Sequence, residues 1–111
     1  MESFEVIEAL GALAHETRLE IFRLLVRRGP EGFAVSQIAE HIKIPPATMS
    51  FHLSHLQRAG LISSKRDSRS IIYSANYALM QNLMGFLTEN CCQDSSVDCC
   101  PESEETAQCQ S

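Results

Sequence analysis

All five cysteines lie beyond residue 90, as the pairs Cys91-Cys92 and Cys99-Cys100 and the single Cys109. A thiolate is a soft ligand, and a trivalent arsenic or antimony centre takes three sulfurs on one side of a pyramid. Adjacent Cys91 and Cys92 would supply two sulfurs, and the six-residue spacer that follows would let Cys99 fold back as the third. The pattern predicts a metalloid site of Cys91, Cys92 and Cys99, with Cys100 as a less favoured substitute and Cys109 as dispensable.

Other thiol chemistry remains open for the same residues. An odd number of cysteines argues against a complete disulfide framework, although one pair could still form a thiol redox switch. A four-sulfur zinc or cadmium site is a further alternative, but structural zinc sites usually space their ligands more widely than adjacent cysteines. A methylated arsenical needs only two sulfurs, which either cysteine pair could supply.

Charge divides the chain into two parts. Residues 1–88 contain all nine lysines and arginines against eight acidic residues, whereas residues 89–111 contain six acidic residues and no basic one. The formal net charge of −5 therefore belongs to the tail. We expect one folded domain over residues 1–89 and a flexible, acidic, cysteine-rich effector-binding tail over residues 90–111. The absence of a long apolar run or a basic leader predicts a cytoplasmic protein.

Two short helical patterns joined by a proline-containing turn span residues 34–60. In the first, which we expect to begin at Ser36, apolar residues recur at helical spacing: Val35, Ile38, Ala39 and Ile42. The second follows Pro45-Pro46 and ends before Gly60, with Met49, Leu53 and Leu56 on its inner face. Its outer face carries groups that can reach base edges: Thr48, Ser50, Phe51, Ser54, His55 and Arg58. The pattern predicts a helix-turn-helix that binds double-stranded DNA.

A β-hairpin is predicted directly after this unit. Residues 61–65 and 70–75 read as two strands closed over residues 66–69, which are rich in arginine. Together with Lys65, the side chains of Arg66 and Arg69 would touch phosphates or the minor groove. The hairpin is thus expected to be a DNA-binding wing, the alternative being an ordinary surface hairpin.

Three further helices complete the expected fold, which is mainly α with a small β-hairpin, a winged helix-turn-helix. The first helix is expected to begin near Phe4, and the last to cover residues 77–89. The second covers residues 16–28, and its apolar stripe is Leu19, Phe22, Leu25 and Val26. The first and last helices carry more apolar surface than a small domain can bury. We therefore expect them to form a homodimer interface, although they could instead complete the core of a monomer.

Several motifs in order resemble those of the ArsR/SmtB family of metalloregulatory repressors, over about residues 4–88. They are Thr17-Arg18-Leu19 with Ile21, Leu24 and Leu25; Ser50-Phe51-His52-Leu53 with Leu56; Ala59-Gly60-Leu61-Ile62; and Arg69 with Ile72-Tyr73. The resemblance implies a homodimeric winged helix-turn-helix protein that leaves operator DNA when a metal or metalloid binds. It places Ser50 and His52 in the DNA-binding helix, although a neutral His52 packed under the hairpin is an equal alternative.

The sequence departs from the family where the effector usually binds. Arsenic-sensing members carry a Cys-x-Cys pair where this chain has Ala34-Val35-Ser36, and zinc-sensing members use Asp, His and Glu on the last helix, where residues 77–89 contain no His. Some arsenic-responsive members resemble this chain in having cysteines after that helix. We therefore predict a repressor released by As(III) or Sb(III).

The alternatives are a repressor of the same fold that responds to cadmium, zinc, lead or thiol oxidation, and a DNA-binding module with a passive metalloid-buffering tail. No phosphate-binding glycine loop, acid–base carboxylate pair or catalytic Cys–His arrangement is present in the sequence. We predict neither an enzyme nor an organic cofactor.

Overall fold

The computed structural model describes residues 2–94, which form five helices and a small sheet. In chain order the elements are α1 (Ser3–Leu13), α2 (Glu16–Arg28), β1 (Phe33–Ala34), α3 (Val35–Ile42), α4 (Pro46–Arg58), β2 (Ile62–Asp67), β3 (Ser70–Ala75) and α5 (Tyr77–Leu87). The predicted fold class, mainly α with a winged helix-turn-helix, is confirmed. None of the helices in this part of the chain is long and apolar enough to span a bilayer.

The core is centred on α2, α4 and the strand that follows α4. Its fully buried large side chains are Ile21, Leu25, Ile38, Met49, Leu53, Leu56 and Leu61. The predicted inner face of α4 is therefore confirmed, whereas the stripe predicted for α2 was partly wrong. Leu19 remains 44% exposed, and Ile21 and Leu24 are buried instead. This rotation follows from contacts of α2 with α1, α4 and the sheet on several sides, which its apolar periodicity could not distinguish.

The sheet has three antiparallel strands in the order β1-β3-β2, so that a short strand extends the predicted hairpin. Phe33 pairs with Tyr73, and Gly32 before it has φ +69°. A Cβ atom at Gly32 would overlap the carbonyl oxygen of Tyr73, so only glycine permits this approach. Arg28 stabilises the same corner, because its Nε donates to the Gly32 carbonyl at 3.0 Å and its guanidinium lies over the Phe33 ring.

The tip of the hairpin is tighter than predicted. Strand pairing continues to Asp67 and Ser70, which leaves Ser68 and Arg69 as a two-residue turn instead of a loop over residues 66–69. Ser68 has φ +58°, a left-handed conformation that short hairpin turns require. The start of α3 also differs by one residue from the predicted Ser36. The helix begins at Val35, and the amide of Ala34 is satisfied by the Gln37 side chain at 2.9 Å.

The last helix ends at Leu87, two residues before the predicted end at residue 89. Thr88 lies beyond it, and its hydroxyl donates to the Met84 carbonyl at 2.9 Å. Apolar side chains of α1 and α5 remain exposed, namely Phe4, Ile7, Leu10, Met84 and Leu87. The core of the single chain does not cover these side chains.

Candidate nucleic-acid interface

Helix α4, which we name the recognition helix, presents the predicted polar face to the outside. Pro45 occupies the N-cap position and Pro46 the first helical position, where the missing N–H costs no hydrogen bond. Met49, Leu53 and Leu56 anchor the opposite face in the core. The outward side chains are Thr48, Ser50, Phe51, Ser54 and Arg58, which are exposed, and His55, which is half-buried.

An aromatic group lies at the centre of this outer face. Phe51 is 58% exposed, and its ring makes edge contacts with His55 and His52 at centroid distances of 4.7 and 5.5 Å. Partial burial, then the positive charges of Arg18 and Arg58, lower the pKa of His55. The neutral imidazole of His55 can donate one hydrogen bond and accept another, and the exposed phenyl ring of Phe51 can contact a thymine methyl.

His52 does not belong to the outer face. It is only 6% exposed, its ring lies 4.9 Å from that of His15, and its Nδ1 lies 3.4 Å from a guanidinium nitrogen of Arg18. The sequence alternative was a neutral His52 packed under the hairpin. In the structure the His52 ring packs instead against the start of α2. Burial, followed by the charges of His15 and Arg18, lowers the pKa of His52. The predicted base contact from His52 is therefore not available in this arrangement.

The wing carries exposed cations on and beside its tip. Lys65 and Arg66 lie in β2, and Arg69 lies in the turn. Within residues 2–94 the only ion pair joins Arg28 to Glu31, so no carboxylate lies within 4.0 Å of the charged groups of these three side chains. Gln57 of the recognition helix donates to the Ser64 hydroxyl at 3.0 Å. This hydrogen bond connects β2 of the wing to the recognition helix.

Two of the predicted metalloid ligands are brought together after α5. Cys91 and Cys92 are exposed, and their Sγ atoms lie 3.6 Å apart. Asn90 and Cys92 both adopt a left-handed conformation with φ +60°, which turns the chain sharply here. Cys99, Cys100 and Cys109 lie outside the described residues. Within residues 2–94 no cluster of three or more His, Cys, Asp or Glu side chains is placed to hold a metal ion.

Comparison with known proteins identifies the class to which this architecture belongs. Residues 13–64 match a family described as a helix-turn-helix domain. The chain is 32% identical over 95 residues to the HTH-type transcriptional regulator YbzH of Bacillus subtilis, covering 75% of this chain and 95% of that protein. It is also 32% identical over 80 residues to nodulation protein NolR of Rhizobium meliloti, covering 72% of this chain but 63% of the relative.

The solved structures agree with these relatives. An ArsR-like transcriptional regulator from Rhodococcus sp. RHA1 superposes with a TM-score of 0.69 at 28% identity, covering 81% of both chains. The chain belongs to the ArsR/SmtB family of helix-turn-helix regulators. The relatives and structures that it matches include proteins described as transcriptional regulators of the helix-turn-helix type. This ArsR-family protein is accordingly a DNA-binding transcriptional regulator.

Three residues of this family member escaped the sequence prediction of the site: Arg18, Gln57 and Asn76. Arg18 belongs to a local sequence motif, but its contact with His52 joins residues 34 positions apart, which no local pattern reveals. Gln57 carried no signal, since an exposed glutamine at the end of a helix is ordinary. Asn76 precedes a helix, which is the position of an N-cap, and that signal could have identified it.

Proposed function

We propose that this ArsR-family regulator is a cytoplasmic, dimeric repressor whose recognition helices bind operator DNA and which is released when trivalent arsenic or antimony binds tail thiolates. The DNA-binding domain is residues 1–89, and the effector tail is residues 90–111. The observation that carries the effector assignment is the 3.6 Å separation of the Cys91 and Cys92 sulfurs, just beyond α5.

The outer face of the recognition helix supports DNA recognition through a particular set of residues. Thr48, Ser50, Phe51, Ser54, His55 and Arg58 would read base edges in the major groove. Lys65, Arg66 and Arg69 of the wing would contact phosphates or the minor groove beside it. We do not include His52 among the residues that would contact bases, because its ring is buried.

Dimerisation is supported by the apolar side chains that α1 and α5 leave in solvent. Phe4, Ile7 and Leu10 lie on α1, and Met84 and Leu87 lie on α5. A two-fold axis through these helices would bury both sets in one self-complementary contact. It would also set two recognition helices roughly 34–36 Å apart, which matches one turn of duplex DNA.

The effector site would combine Cys91 and Cys92 with Cys99, which lies outside the described residues, and Cys100 would be the substitute third ligand. A trivalent metalloid would use the soft thiolate sulfurs that this tail supplies. Three thiols release about three protons to a trivalent ion, so the net charge of the protein barely changes. Release would therefore depend on a change in subunit geometry through α5, with a coupling of roughly 1–3 kcal/mol, or about 5- to 150-fold in DNA affinity.

The test is a fluorescence-anisotropy titration of the reduced protein on the DNA upstream of its own gene. Arsenite, antimonite, methylarsenite, zinc and cadmium are added separately to wild type, Cys99→Ser and the matched control Cys109→Ser. We expect arsenite and antimonite to release wild type and Cys109→Ser at similar concentrations, and to release Cys99→Ser only at higher concentration because Cys100 is the less favoured ligand. Release by cadmium or zinc alone would instead assign a divalent-metal sensor.

Two other results would overturn the metalloid assignment in different ways. Release by a mild oxidant, reversed by reductant and indifferent to every ion, would assign a redox switch. Metalloid binding without any change in DNA affinity would reduce the tail to a buffer. In both cases the DNA-binding role would stand.

A further inference from the structure

The side chain of Arg18 connects three helices at the back of the recognition helix. From α2, its Nε donates to the Ala12 carbonyl at the end of α1 at 2.7 Å. One of its terminal nitrogens lies 3.4 Å from Nδ1 of His52 in α4. The Ala12 carbonyl is among the last of α1, which have no partner within their own helix. One guanidinium thus satisfies the end of α1 and holds the inner face of α4.

The contact with His52 requires a neutral imidazole. A guanidinium has only donors, so Nδ1 of His52 must be the unprotonated nitrogen. His15 lies beside it, and its Nδ1 accepts the Thr17 amide at 3.1 Å and so caps α2. Burial, then the charges of His15 and Arg18, lowers the pKa of His52, in agreement with this geometry.

The titratable groups around Arg18 and His52, which we call the Arg18–His52 cluster, are mostly basic. Arg18 lies in α2, and His15 caps that helix. The recognition helix contributes His55 and Arg58, and α1 contributes the carboxylate of Glu8. Of these, Glu8, Arg18, His55 and Arg58 line one groove of about 220 Å³ between α1 and α4. No ion pair within 4.0 Å joins Glu8 to the cluster in the described part of the chain. A proton on His52 would therefore face Arg18 with no acid in contact to compensate it.

We propose that Arg18 is a positioning residue for the recognition helix, which it holds through the neutral ring of His52, so that protonation of His52 weakens DNA binding. Protonation removes the acceptor at Nδ1 and places two cations 3.4 Å apart across the α2–α4 contact. The inner face of α4 then moves away from α2, and the outer face loses its fit to the groove. The proposal depends on DNA binding by this protein and not on the metalloid.

The effect of His52 protonation on DNA affinity has the opposite direction to that of a histidine at the DNA interface. A histidine at a DNA interface favours binding when protonated, because its positive charge then lies near the phosphates, and His55 on the outer face is such a residue. His52 has the opposite sign, because its protonated form is the weaker binder. The two contributions can be separated by replacing each ring with asparagine, whose Oδ1 can accept from Arg18 at position 52 but does not titrate.

The experiment measures DNA affinity by fluorescence anisotropy from about pH 5 to about pH 8 at fixed ionic strength, without metalloid. This range extends below the ordinary histidine pKa, because the pKa of His52 is lowered. The proteins are wild type, His52→Asn, His55→Asn, Arg18→Gln and the remote control His41→Asn. Relative to His52→Asn, we expect wild type and His41→Asn to lose about 3- to 10-fold in affinity on acidification, the worth of one hydrogen bond. His55→Asn should show a steeper loss than wild type.

An NMR titration of the His52 ring resonances measures the pKa of His52, which would not depend on Arg18 if Arg18 had only a structural role. Removal of the guanidinium in Arg18→Gln should raise the pKa of His52, whereas Arg18→Lys should keep the charge and most of the lowering. Equal pH profiles for wild type and His52→Asn, or an unchanged pKa of His52 in Arg18→Gln, would overturn the proposal.

Two outcomes distinguish this proposal from the proposed function. If wild type binds no DNA at any pH, the DNA-binding role fails, and so does this one. If DNA binds with the expected pH profile but no metalloid releases it, the effector assignment fails and the Arg18–His52 device stands. Circular dichroism at each pH identifies any variant that has unfolded, and the NMR comparison on Arg18→Lys then decides the question.

Discussion

Asn76 joins the start of α5 to the end of the recognition helix, because its Nδ2 donates to the carbonyl oxygen of Gly60 at 2.9 Å. The other end of the same carboxamide caps α5, since Oδ1 accepts the Leu79 amide at 3.2 Å. The backbone amide of Asn76 adds a third hydrogen bond, to the Leu61 carbonyl at 2.9 Å. One residue therefore aligns α5, which precedes the cysteines, with the recognition helix.

Replacement of Asn76 separates these two functions. Asn76→Ser retains an oxygen for the cap but cannot reach Gly60, so we expect it to cost about 0.5–1.5 kcal/mol of unfolding free energy. Asn76→Ala loses the cap as well and should cost about 1 kcal/mol more. Urea unfolding followed by circular dichroism measures both values. Equal stability of the two variants would show that the cap contributes nothing.

Gly32 should tolerate no side chain. Gly32→Ala places a Cβ against the Tyr73 carbonyl and the Ile72 side chain, at a residue whose φ is +69°. We expect a loss of about 2–4 kcal/mol and the separation of β1 from β3. Thermal unfolding tests the loss, and Gly11→Ala in α1 is the control, because nothing lies within 4 Å of a Cβ there. A Gly32→Ala protein as stable as wild type would contradict the observed β1 pairing.

Lys43 is a position at which glycine should stabilise the protein. It ends α3 in a left-handed conformation with φ +67°, which costs a residue with a Cβ about 1 kcal/mol. We expect Lys43→Gly to raise the unfolding free energy by about 0.5–1 kcal/mol in urea. Lys43→Ala is the matched control, since it removes the same charge but keeps the strain. A gain shared by both variants would assign the effect to charge.

The wing arginines should contribute affinity without sequence preference. We expect Arg66→Ala and Arg69→Ala each to reduce the slope of log affinity against log salt by about 1. The control is Arg23→Ala, which removes the same charge from α2, outside the proposed interface. Anisotropy measured at several salt concentrations checks the slopes. A loss confined to one operator sequence would instead indicate base readout by the wing.

The apolar faces of α1 and α5 should hold the dimer together. Ile7 is 68% exposed in the single subunit, and a glutamate there would bury one unpaired charge from each copy in the interface. We expect Ile7→Glu to weaken dimerisation at least ~100-fold, since an unpaired buried charge costs about 3–5 kcal/mol. Light scattering coupled to gel filtration measures the mass. Ile71→Glu on the wing is the control and should remain dimeric.

The cysteine tail shows how far composition alone reaches. The clustering of thiols after the last helix predicts a soft-ligand site, because the sulfur chemistry does not depend on the fold. The structure adds that the Cys91 and Cys92 sulfurs lie 3.6 Å apart and that α5 ends four residues before Cys91. The proposed third ligand stays a sequence prediction.

Local periodicity determined the helices, their order and the inner face of α4, because Met49, Leu53 and Leu56 repeat at the spacing of one helix side. Tertiary structure alone decided which side of α2 is buried, that Phe33–Ala34 forms a third strand, and that His52 packs against Arg18. These features depend on how elements cross: Arg18 and His52 are 34 residues apart, and Asn76 and Gly60 are 16 apart. No repeat within one helix or strand carries that information.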